Sequence, residues 1–231
     1  MTVIRASLDC LLVNRPLRYL TEHPSAMLLG AQLLQVLLWP FLDDSVVGRA
    51  GLGGIGMLAV GAAVLAVRRT PMASRIILFL GAPAMVLTLV EPVFPDQETV
   101  VLLSGALHAP FYFYVSYAML RYLLHDDKVT TDEYFATGAA FTVVAWGFAY
   151  LYSAVQVVWP GSFSSGDGLG DHTWFELLYL SFSILTSVGL SDIVAVGAQA
   201  RSVVMVEMMT GVFYIAMVVA RMVGLTILRR R

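Results

Sequence analysis

Residues 179–193 read Tyr-Leu-Ser-Phe-Ser-Ile-Leu-Thr-Ser-Val-Gly-Leu-Ser-Asp-Ile. The polar groups are hydroxyls, one carboxylate and the main chain itself. This combination suits cation dehydration: backbone carbonyls of Thr186, Ser187, Val188, Gly189, Leu190 and Ser191 turned to one side can replace the water shell of an alkali ion. The Ser187 hydroxyl adds an oxygen at the inner end. Gly189 permits the positive φ that aims successive carbonyls the same way. Asp192 follows directly. Repeated around an axis it would concentrate cations at a mouth. Alone, it would anchor to the preceding helix through Tyr179 or Ser183, which lie four apart on one face.

The elements that must position this segment follow from length and hydropathy. Trp174–Leu185 is an apolar run of about 18 Å as a helix, too short for a hydrocarbon core of about 30 Å. Thr173 and Glu176 fit a capping box at its start. Six longer apolar stretches suffice to cross a bilayer: 25–42, 51–67, 76–94, 100–124, 134–158 and 203–228. A short helix flanked by long spans reads as re-entrant. Irregular backbone at membrane depth survives only inside protein or lining water. The chain of 231 residues is 58% hydrophobic and 13% charged, with mean hydropathy +0.78. A soluble domain carries roughly 25% charge, so most of this surface faces lipid.

Charge placement sets orientation. With the N-terminus cytosolic, Arg5, Arg15, Arg18, Arg68, Arg69, Arg75, Arg121, Lys128, Arg229, Arg230 and Arg231 lie inside; Arg49 and Arg201 lie outside. Asp43, Asp44, Asp96, Glu98, Asp167, Asp171 and Asp192 make the outer loops acidic, and Trp39, Trp159 and Trp174 fall at the outer interface. The expected organisation is a cytosolic or interfacial segment 1–24, a four-helix domain 25–124, a cytosolic linker 125–133 and a terminal domain 134–231. The last holds an outer helix, a short helix 174–185, a loop 186–192 and an inner helix 203–228. The single cysteine, Cys10, is a free thiol in the cytosolic segment.

The loop resembles the selectivity filter of the potassium-channel pore family, Thr-Thr-Val-Gly-Tyr-Gly-Asp after a short pore helix. Ala200, Arg201, Ser202, Val203, Glu207, Gly211, Tyr214, Ala220, Arg221, Val223 and Gly224 resemble the inner helix of its bacterial two-transmembrane members. The resemblance covers about 134–224. It implies an all-α membrane protein with six spans and one re-entrant pore helix, a homotetramer with a central pore, and K+ as permeant ion bound at the loop carbonyls. The plasma (inner) membrane is the expected location, with both termini cytosolic.

Three positions depart from the pattern. Ser187 replaces a threonine and keeps the hydroxyl. Leu190 replaces an aromatic, removing a tie between filter and pore helix. Ser191 replaces the second glycine; left-handed geometry there would cost about 1–2 kcal/mol. Strict potassium selectivity and mixed monovalent selectivity therefore both stay open.

Glu207, an acid inside the last span, reads either as a cavity or filter-support carboxylate or as a paired acid bridging helices, the second being favoured. Gly211 is a gating hinge or a close-packing contact. Arg221 is expected to snorkel to lipid phosphate. Span four has Arg121 alone at its end, against a voltage sensor, and His108 in it reads as a packing residue. No catalytic constellation, phosphate loop or metal spacing is visible, so neither an enzyme nor a cofactor is expected, and no nucleic acid. A transporter would want paired broken helices; a non-conducting sensor or scaffold with a pore-like fold is the other alternative.

Overall fold

The structure is a computed structural model that describes residues 23–67, 71–94, 97–124, 130–166 and 168–228. The expected interfacial segment with Cys10, most of the 125–133 linker, and Arg5, Arg15, Arg18, Arg68, Arg69, Lys128, Arg229, Arg230, Arg231, Asp96 and Asp167 lie outside the described residues.

Helices occupy all seven expected stretches: α1 Pro24–Leu42, α2 Val46–Val67, α3 Pro71–Val90, α4 Glu98–Leu123, α5 Thr131–Val158, α6 Trp174–Leu185 and α7 Ala198–Leu228. Among the described residues, Pro24–Leu42, Glu98–Leu123, Thr131–Val158 and Ala198–Gly224 are long and apolar enough to cross a membrane. Their starts follow from local chemistry. α1 opens on a proline, whose missing N–H is no loss at a first turn. α5 opens on Thr130, whose hydroxyl accepts from Glu133 N at 3.3 Å.

α5 is the hub. It packs against α1, α4, α6 and α7. Small residues let neighbours approach: Ala136, Ala139, Ala140, Ala145 and Ala149 are buried along it. A Cβ on Gly105 of α4 would stand 2.7 Å from Ala154 Cβ, so glycine there sets the α4–α5 separation. α1 runs alongside α5. Asp132 accepts from Ser25 N at 3.0 Å and Ser25 Oγ at 2.7 Å, and Gln32 Nε2 donates to Ala139 O at 3.4 Å. At the other end of α1, Trp39 meets Trp174 with centroids 4.9 Å apart and stacks on Phe175 at 5.7 Å. Large apolar side chains such as Leu37, Phe41, Val47, Phe79 and Phe213 stay exposed, the surface expected of a protein solvated by lipid.

The all-helical expectation omitted one feature. The strands β1 Phe163–Ser165 and β2 Gly168–Leu169, between α5 and α6, and β3 Val194–Ala195, between α6 and α7, form a three-stranded antiparallel sheet ordered β2-β1-β3. β1 pairs with both others. Val196 N and Gly197 N also donate to Ser162 O at 2.9 and 3.0 Å. The segment leaving the 186–192 loop is thereby sewn to the segment leaving α5.

Candidate functional site

The site is built on the two ends of α6. At its start the expected capping box forms: Glu176 N donates to Thr173 Oγ1 at 3.3 Å and Thr173 N to Glu176 Oε2 at 2.7 Å. The preceding residue is clamped to α5, Gln156 Nε2 donating to His172 O at 2.9 Å and His172 N to Gln156 Oε1 at 3.1 Å. α6 thus starts at a fixed point on the hub helix.

The other end carries the loop. Ser187 N donates to Ile184 O at 2.9 Å, and Val188 N and Gly189 N both donate to Ser183 O at 3.1 Å. The Ser183 hydroxyl accepts from Ser191 N at 3.0 Å. Tyr179 OH donates to Leu190 O at 3.1 Å, a tie from the pore-helix side in place of the aromatic hydroxyl that Leu190 lacks. The loop is therefore held from behind by Tyr179 and Ser183. Its residues Thr186, Ser187, Val188, Gly189 and Leu190 are exposed, Val188 by 58% and Leu190 by 73%. Ser187 and Gly189 have φ of 60° and 71°. Left-handed residues at alternate positions break the strand pattern that would send successive carbonyls to opposite sides.

Ser191 has no positive φ; among the described residues Ser187 is the non-glycine residue that has one, so the steric cost sits there, eased by a small polar side chain. Two expectations are corrected by this geometry. Asp192 is exposed and no hydrogen bond joins it to Tyr179 or Ser183, which bond Leu190 O and Ser191 N instead. Arg221 does not reach for lipid. It lies 3.6 Å from Glu133 of α5, with both side chains largely buried, and a charge inside the bundle gains more from a fixed partner than from partial hydration.

Behind the loop, Glu207 of α7 is fully buried and accepts hydrogen bonds from Tyr152 OH of α5 and Ser181 Oγ of α6. Ser181 Oγ also lies 3.0 Å from Ala145 O. One carboxylate thus joins the three helices that carry the loop. Gly211 lies where α7 crosses the end of α6; a Cβ there would collide with the Leu185 carbonyl. Tyr214 OH donates to Thr137 O at 2.6 Å, fixing α7 on α5 further along. His108 is buried, stacked on Tyr150 with centroids 4.2 Å apart and bonded to Thr88 Oγ1 at 2.8 Å.

Sequence reasoning missed Gln156, Ser181 and Tyr152. Gln156 and Ser181 carried a signal, polar groups within apolar helices; Tyr152 did not stand out among the aromatic residues of α5. The doubly accepting Ser183 carbonyl left no signal, since main-chain geometry has no residue type.

A half-length helix held between two span-length helices and ending in an exposed loop fits an ion-channel domain in a membrane protein. Residues 134–227 match the family model described as Ion channel. The helices before them lie outside the match. No curated protein and no solved structure matches the chain.

Proposed function

We propose that four copies of the chain surround a central pore and pass monovalent cations, K+ among them, down their electrochemical gradient. Thr186, Ser187, Val188, Gly189 and Leu190 form the ion-binding rings, with Ser191 closing the loop and the four Asp192 carboxylates at the mouth. α6 is the re-entrant pore helix, α5 and α7 the outer and inner helices, and residues 25–124 form a four-helix domain packed on α5. All six long helices span the plasma membrane, with both termini cytosolic.

The observation that carries this reading is the two-sidedness of the loop. Its back is tied by Tyr179 and Ser183, while the opposite side of residues 186–190 is bare, apolar Val188 and Leu190 included. A lone chain gains nothing by holding a left-handed serine and two exposed aliphatic residues in fixed geometry. A ring of copies covers those side chains and turns the carbonyls to a shared axis.

Planar-bilayer recording of purified protein between potassium and sodium solutions tests it. The expected result is a cation current reversing close to the potassium equilibrium potential. A reversal near zero selects the second reading, a non-selective cation pore, which Leu190 and Ser191 favour. No cation current under any tested condition, or a particle that is only monomeric by native mass spectrometry, overturns both.

A further inference from the structure

A cavity of about 460 Å³ opens where α1 and α3 end, α4 begins and α6 begins. That volume falls in the range that takes a small molecule, about 300–1,000 Å³. Its walls combine two kinds of group. Trp39, Tyr112, Tyr150 and Trp174 are aromatic, and Asp43, Glu91, Glu98 and Asp171 are acidic.

Arg49 is the lining cation among the described residues, and it is already used. Its Nη1 donates to Asp43 O at 2.8 Å and its Nη2 to Pro92 O at 3.3 Å, and it stands 4.0 Å from Asp43 Oδ1. No described cation pairs with Glu91, Glu98 or Asp171. Glu91 accepts from Ser104 Oγ. Gln35 is buried and lines the cavity, with its Oε1 turned against Gly56 of α2. The walls therefore hold surplus negative charge and π faces.

We propose that this cavity binds a small organic cation, an amine with a flat apolar body. The ammonium is drawn by the carboxylates and by aromatic faces, which attract cations through the ring quadrupole. The body takes the place of water against Trp39 and Trp174. A bare metal ion fits less well, since no described cluster of three or more His, Cys, Asp or Glu side chains can hold one.

The cavity also reaches the lead-in to α6. His172, Thr173 and Trp174 line it, and so does Gln156, which clamps His172. Trp174 touches Trp39 at 4.9 Å and Tyr150 at 5.3 Å. An occupant bears on the capped end of the pore helix; that consequence for current rests on the pore reading, while the binding does not.

Binding of phenethylamine to purified protein, followed by quenching of tryptophan fluorescence and by calorimetry, tests the site. Saturable binding is expected, with no binding of phenylacetate, which has the same ring and opposite charge. Glu98→Gln with Asp171→Asn changes two exposed side chains and should weaken binding roughly tenfold. Adding Glu91→Gln should weaken it further. No saturable binding, equal affinity for the two probes, or unchanged affinity in the triple variant overturns the proposal. A protein that conducts cations but ignores phenethylamine sinks the cavity alone; one that binds it but passes no current sinks the pore alone.

Discussion

Ser183 makes the loop possible with two different atoms. Its carbonyl takes the N–H groups of Val188 and Gly189 and its hydroxyl takes that of Ser191. Ser183→Ala leaves the first pair intact and strands the Ser191 N–H, a loss of about 1 kcal/mol. The cost falls on the loop rather than on the bundle. We expect an unchanged melting temperature in detergent and a reversal potential shifted toward that of an unselective pore. Glu207 is the contrasting residue, because its bonds join whole helices. Tyr152→Phe removes a donor from a fully buried carboxylate, which should destabilise the protein by about 1–3 kcal/mol. Glu207→Gln alone should cost a similar amount, since its amide cannot accept at both ends. Because both changes break one network, the double variant should cost less than the sum. Additive losses of melting temperature would show that the Tyr152–Glu207 bond carries no coupling.

Helices α6 and α7 meet where Gly211 lies under the Leu185 carbonyl. The obstructing atom is main chain and cannot rotate away, so Gly211→Ala must push the helices apart. Overpacking of this kind costs about 1–3 kcal/mol, and here it also displaces the loop that begins one residue later at Thr186. Thermal melts should fall clearly for Gly211→Ala and stay level for Gly224→Ala, where nothing lies within 4 Å of the added carbon. Equal melts would argue for a hinge whose packing does not matter. Elements of this size were largely legible in the sequence. α6 falls at Trp174–Leu185, because its length limit and its capping box are both local signals. The three-stranded sheet was not legible, since strands of two and three residues are too short to show alternation. Nor was the pairing of Arg221 with Glu133: the two charges lie far apart in the chain, and only the docking of α7 on α5 joins them. Within the site, the spacing of Tyr179 and Ser183 pointed to them as partners of Asp192, whereas they bond Leu190 O and Ser191 N, and the left-handed φ at Ser187 depends on closing a loop over a helix end.

The whole molecule poses a question of parity. Four helices qualify as spans by length and composition among the described residues: α1, α4, α5 and α7. α2 and α3 form a pair packed against one another, with α2 also on α1 and α3 also on α4. Crossing twice or not at all, that pair returns the chain to the same side, so with the proposed cytosolic N-terminus Asp44 and Asp192 lie outside under either count. Arg75, exposed near the start of α3, separates them. Packing favours two further crossings. Thr88 of α3 reaches His108 of α4 at 2.8 Å, and Gly56 of α2 lies against Gln35 of α1. Gln35 and His108 lie well inside α1 and α4, which are long and apolar enough to cross the hydrocarbon core; where they cross it, parts of α2 and α3 share its depth, and backbone there must stay helical. Cys10→Ser supplies a background free of cysteine. In it, a membrane-impermeant maleimide applied to intact cells should label Asp44→Cys and Asp192→Cys, while Arg75→Cys and Thr131→Cys should react only after lysis. Labelling of Arg75→Cys from outside, with Thr131→Cys still protected, would reduce the count to four spans and leave the α5–α7 domain as proposed. Protection of Asp192→Cys together with outside labelling of Thr131→Cys would invert the molecule, against the acidic outer loops and the cytosolic arginines.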